Sequence, residues 1–212
     1  MLKWNIRIFV SLFLVIWTVS FSQSFEGKII YSNSYKSKNT QYTYERWVSI
    51  LGDTETFFIK GGDYRIVTNG SLMRWQLYIN KDNKLYSKMA NTETILWKDV
   101  SIQEDEVLSV KINKGSIRVL GYLCDEIILS CKGGVRRYYF SSKLGVDSKL
   151  FMNHRYGNWY DYLSKSNALP LKMVIENPEY IKFSTAISVV SMEVEGSDFE
   201  LEDDAKLEKS RF

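Results

Sequence analysis

Apolar and polar residues alternate with a period of two along most of the chain, the pattern of strands buried on one face. Residues Glu26–Tyr35 open the series. Thr56–Lys60 and Asp63–Thr68 flank Gly61-Gly62, and Met73–Ile79 and Lys84–Met89 flank the tetrapeptide Asn80–Asn83. Both connections read as tight hairpin turns. Thr94–Lys98 and Val107–Ile112 follow, separated by an acidic loop. Leu123–Cys131 and Val135–Ser141 flank Lys132-Gly133-Gly134, and Leu171–Glu176 and Ile181–Glu195 close the series. Many short strands joined in sequence order predict a mainly β (α+β) fold, an antiparallel meander rather than βαβ units.

One segment breaks the alternation. Between Thr40 and Leu51 the large residues Tyr44, Trp47, Val48 and Leu51 fall at i, i+3, i+4 and i+7, one face of a helix. Asn39 or Thr40 is placed to cap its start and Gly52 to end it. A helix with one aromatic face, set between the first strand and the meander, is expected to lie across the concave side of the sheet. A second helical turn is expected around Tyr156–Leu163. From Glu200 to Phe212 the chain turns charged and loses periodicity, which predicts a frayed tail.

The beginning of the chain follows a different logic. Lys3 and Arg7 precede the ten-residue apolar run Ile8–Trp17, and small residues stand at Ser20 and Ser22 before Gln23. This tripartite pattern reads as a secretory signal peptide over residues 1–22. A membrane anchor would need about 20 apolar residues, twice the run present. No cysteine follows the run, so no lipid is expected on a new N-terminus. Residues 23–200 then form a single mostly β domain, long enough to bury a substantial core, working in the periplasm or cell envelope of a Gram-negative bacterium.

Charge narrows the partners. Removing Lys3 and Arg7 from 28 basic against 25 acidic side chains leaves a net charge of +1. So even a balance gives no basic face for nucleic acid. Arg136-Arg137 before Tyr138-Tyr139-Phe140 reads as a strand with a charged outer edge and a packed inner face, not a stacking platform for bases.

Two cysteines, Cys124 and Cys131, travel to an oxidising compartment. Seven residues along one strand span roughly 23 Å at 3.3 Å each, and an odd offset points the side chains to opposite faces. A disulfide needs Cα atoms within about 7 Å. Buried free thiols are therefore expected, unless a bulge or loop interrupts the strand.

Recognisable catalytic chemistry is sparse. The single histidine, His154, stands in a polar stretch with no second metal ligand nearby, and reads as a surface or hydrogen-bonding residue. No G-x-S-x-G elbow and no H-x-x-H or C-x-x-C pair occurs. A thiol nucleophile at Cys124 would need His154 beside it. The runs Glu104–Glu106 and Glu202–Asp204 lack the spaced ligands and glycine of a calcium loop and read as solvated turns. No catalytic, cofactor-binding or metal-binding residue is assigned.

Aromatic content stands out instead: fourteen tyrosines lie beyond the leader, with Trp47, Trp75, Trp97 and Trp159. On strands such residues mostly build the core. In a sheet that curls without closing they also line an apolar cavity.

The order of several motifs resembles a group of exported bacterial proteins of unknown function, similar in fold to the periplasmic lipoprotein carrier LolA. The matching features are Phe25–Tyr31, Phe58–Arg65, Leu85-Tyr86, Leu120–Asp125, Tyr138–Ser141, Ala168–Leu171 and Phe199–Leu201. The resemblance implies a strongly bent antiparallel sheet, a half-barrel with one or two helices over its concave side, a shape that holds acyl chains in relatives. It carries over no catalytic residue. The resulting expectation is a non-enzymatic envelope protein with an apolar cavity for a lipid or acyl chain, lidded by Tyr44, Trp47, Val48 and Leu51. The alternatives are an interaction module with a filled core, its partner an envelope protein, and, third, a hydrolase. Glu26–Tyr35 is a candidate edge strand for such a partner.

Overall fold

The computed structural model describes residues 24–210. The expected signal peptide over residues 1–22 lies outside the described residues. Twelve strands form one open, curved sheet with two helices. In chain order the elements are β1 (Gly27–Ser37), α1 (Tyr44–Leu51), β2 (Thr54–Lys60), β3 (Asp63–Thr68), β4 (Met73–Ile79), β5 (Lys84–Met89) and β6 (Ile95–Asp99). They continue with β7 (Val107–Val119), β8 (Tyr122–Cys131), β9 (Gly134–Gly145), α2 (Trp159–Ser166), β10 (Ala168–Glu176), β11 (Tyr180–Ser191) and β12 (Leu207–Lys209).

Across the sheet the order is β12-β6-β5-β4-β3-β2-β1-β11-β10-β9-β8-β7. Two meanders, β2 to β6 and β7 to β11, meet on either side of β1. All pairings are antiparallel except β12 with β6. The first strand is therefore central and not the edge expected of Glu26–Tyr35. The register explains why: Gly27–Ser37 finds β11 along its whole length and β2 over its first half.

Period two sets the two faces. On β1, Ile29, Tyr31, Asn33 and Tyr35 are buried while Ser32, Ser34 and Lys36 are exposed. The buried set belongs to the inner face, where Phe57, Tyr64, Tyr78, Ile127, Leu129 and Tyr138 build the main core. The segment between β9 and β10 packs onto that face. Tyr162 of α2 stacks on Tyr138 with ring centroids 4.2 Å apart, and Phe151, Tyr162 and Leu163 are fully buried.

A second, smaller core lies on the opposite face, where Leu77, Tyr86 and Ile95 pack against Val194 and Phe199. This corrects the expected frayed tail. The chain after β11 crosses the outer face, buries Phe199, and adds β12 to the edge of β6 in parallel. Apolar residues spaced irregularly among the acids carry this packing, so no periodicity announces it.

The expected helix forms, but starts later. Thr43 is the cap, its hydroxyl accepting from Arg46 N at 3.3 Å, while Asn39 uses its side chain in a local turn onto Gln41 N. Gly52 ends the helix as expected, with φ 87°, and donates to Val48 O at 2.8 Å. A side chain there would collide with Thr68 and Asn69. The second helical turn extends further than expected, to Ser166. Strand β7 runs seven residues beyond Ile112, carried past Lys114-Gly115-Ser116 by a register shift between Asn113 and Ile117.

Candidate functional site

Helix α1 and the α2 segment cover different parts of the inner face and leave a trough between them. Three adjoining clefts make it up. The largest, about 500 Å³, runs over β4, β5 and β6 and is bordered by Leu51, Leu72, Met73, Met89 and Leu96. A middle cleft of about 260 Å³ shares Leu51, Thr68, Met73 and Gln76 with it and continues over Ile66, Met173 and Ile175. A small apolar pocket of about 100 Å³ shares Glu55, Ile66 and Met173 with the middle cleft and ends against Tyr31, Phe57, Trp159 and Pro170. Ligand cavities commonly measure about 300–1,000 Å³. Three methionines with flexible, polarisable side chains line the walls, a composition that adapts to irregular apolar ligands.

The middle of the floor is polar. Lys182 of β11 reaches Glu55 of β2 at 2.6 Å. Lys182 pairs in register with Tyr35, Glu55 with Tyr31, and Asn33 lies between those two on the same face of β1. The ion pair therefore spans β1 above Asn33. Asn33 sits opposite Ser184 across the β1–β11 pairing, and both are buried, 3% and 1% exposed. Neither Asn33 side-chain atom nor the Ser184 hydroxyl finds a hydrogen-bond partner in the protein. At the far end, Lys98 pairs with Glu104 at 3.0 Å, its ammonium 4.0 Å from the centre of the Tyr156 ring. Each formal charge lining the trough thus has its counter-charge beside it.

Of the four residues expected on the lid face, Leu51 alone borders the clefts. Trp47 is an anchor. Its ring packs between Tyr42, centroids 4.9 Å apart, and Tyr180, 4.5 Å apart, and its indole N–H donates to Ser37 Oγ at 3.1 Å. Val48 is half-buried and Tyr44 is 47% exposed. The helix is tied to the end of β1 and β11 and extends its last residue into the trough. Sequence reasoning missed the floor residues Asn33, Glu55, Lys182 and Ser184 altogether. Each is an ordinary polar residue in an alternating strand, and their convergence depends on strand order.

Of the two roles expected for His154, surface or hydrogen-bonding, the structure shows the second, in a buried setting. It is 1% exposed, with Nε2 2.7 Å from the Tyr64 hydroxyl and the ring against Tyr78, centroids 4.5 Å apart. Burial pushes it down to about 4, against weaker support for a ring proton from the carbonyls of His154 and Tyr156. Nδ1 makes no well-formed hydrogen bond. Its surroundings are aromatic and closed, and the Cys124 thiol lies elsewhere, directed at Tyr122 O.

Both cysteines are free and buried. They share the main core, where opposite faces had been expected. The acidic run 104–106 is also more structural than a solvated turn. Glu104 pairs with Lys98, Glu106 with Lys132, and Asp105 accepts from Gly133 N and Arg136. Arg136 accordingly lies inward, beside the core, and not on a charged outer edge. Among the described residues no group of three or more His, Cys, Asp or Glu side chains is placed to hold a metal ion, and no helix is long and apolar enough to cross a membrane.

No family model matches the chain, and no curated protein matches it. Among solved structures, that of PNGF-II in space group P21 is similar over 86% of this chain, with 13% identity and a TM-score of 0.44. The match covers 32% of the PNGF-II chain, so this chain spans about a third of that protein's length.

Proposed function

We propose that the protein is an exported, non-enzymatic binding protein of the bacterial cell envelope, LolA-like in its plan, which holds the apolar chain of a lipid in the trough of its inner face. The observation that carries this reading is the continuity of the three clefts between α1 and α2, walled by leucine, isoleucine and methionine side chains. A sheet closed over a filled core would leave no such passage. The apolar run before residue 23 fits export.

A second reading, an interaction module with a filled core, draws on one observation: the α2 segment already packs buried aromatic rings onto the inner face. Native mass spectrometry of the protein purified from its own cells separates the two. A discrete added mass that extracts into organic solvent and fragments as a lipid is expected. The bare protein mass, with no uptake of added lipid, would favour the filled core.

A further inference from the structure

We infer that the trough is selective for neutral amphiphiles whose polar head carries both a donor and an acceptor, such as a hydroxyl-bearing ester or an amide, with the head held at Ser184 and the Lys182–Glu55 pair, over the buried Asn33. This rests on the proposed acyl-chain reading and adds the class of head group.

Three observations converge. First, Asn33 and Ser184 are buried polar side chains without a protein partner, and Ser184 lines the middle cleft. An orphaned polar group of this kind carries an uncompensated desolvation cost, which a ligand able to donate and accept would recover. Second, the ion pair beside them is partly open to the cleft, with Lys182 and Glu55 side chains 25% and 12% exposed. It offers a donor and an acceptor to the same visitor. Third, the matched charges make the trough neutral. A carboxylate head would meet Lys182 only by facing Glu55 as well, and an ammonium head would meet the reverse, so neither gains what its desolvation costs. Apolar cleft extends on both sides of this polar centre, toward Trp159 in one direction and Leu96 in the other. A chain with its head at one end then lies along either arm.

The test compares three probes of one chain length, monoolein, methyl oleate and oleate, by titration calorimetry with the full chain. Wild type is expected to bind monoolein about tenfold more tightly than the other two. Asn33→Ala and Ser184→Ala are each expected to weaken monoolein about fivefold, roughly one hydrogen bond. Methyl oleate, whose ester can only accept, should lose less than monoolein, and the melting temperature should not fall, because each change removes an unsatisfied group. Equal affinity of wild type for all three probes overturns the inference and leaves the acyl-chain reading standing. So does retention of the monoolein preference in both variants. Failure of every probe to bind wild type overturns both.

Discussion

Lys182 and Glu55 belong to strands that do not touch, yet their side chains meet at 2.6 Å across β1. The contact joins the two meanders over the central strand and sets a compact polar centre into an apolar floor. Lys182→Met would leave the Glu55 carboxylate without its cation where it is 12% exposed. The expected cost is about 2 kcal/mol, below the figure for a fully buried pair because both groups keep some solvent. Adding Glu55→Met should restore most of it. Urea unfolding of the three variants checks this, and equal stability of the single and double variants would contradict it.

Trp47 and Leu51 stand on one helix but do different things. Trp47→Ala removes a ring packed between Tyr42 and Tyr180 together with its bond to Ser37. A loss of about 3 kcal/mol is expected, as for large rings packed in cores. Leu51→Ser should cost about 1 kcal/mol or less and weaken lipid binding severalfold, since Leu51 is half-buried and borders two clefts. Thermal melting with a lipid-binding assay separates the two effects, and a reversed ranking would return Trp47 to the ligand.

His154 gives the fold an acid sensitivity. Its value in the folded protein is about 4 against 6.5 for an unperturbed imidazole, so the unfolded chain binds the proton more tightly. The associated stability is complete above pH 6.5 and declines as pH falls toward 4, by about 3 kcal/mol at most. Carboxylates held low, such as Asp99 and Asp125, add their own loss only below their unfolded range, through the same linkage. His154→Phe should therefore flatten the stability curve between pH 6.5 and 5. A parallel curve for wild type and variant would contradict the assignment.

Cys124 and Cys131 are both buried, and burial pushes both thiols up. Neither should react with a thiol reagent in the native protein near neutral pH, and both should react in denaturant. Absence of thiols from the denatured chain would show a disulfide.

Strand periodicity was legible almost throughout. Asp63–Thr68, Met73–Ile79 and Lys84–Met89 end where the alternation ends, because Gly61-Gly62 and Asn80–Asn83 punctuate them. The helix was legible from Trp47 and Leu51. Its cap was not, because Asn39, Thr40 and Thr43 are all capable and only local turn formation chooses among them. Strand order was illegible: β1 reads as any first strand, and its central place comes from pairing with β11, more than 140 residues away. The floor of the trough depends on that pairing, so Asn33 and Ser184 looked like ordinary strand residues. The tail misled because Leu201 and Ala205 pack on the outer face and Leu207–Lys209 pairs with β6, neither marked by a repeat.

The most direct test of chain binding in the trough is quenching of tryptophan fluorescence by a brominated acyl chain. Trp159 lines the small apolar pocket, whereas Trp75 packs on the opposite face beneath Arg65. In variants that retain only one of these tryptophans, dibromostearoyl monoglyceride is expected to quench Trp159 saturably and to leave Trp75 unaffected. Absence of quenching both at Trp159 and, in a third variant, at Trp97, which borders the largest cleft, or equal quenching of Trp159 and Trp75, would contradict the trough as the binding site.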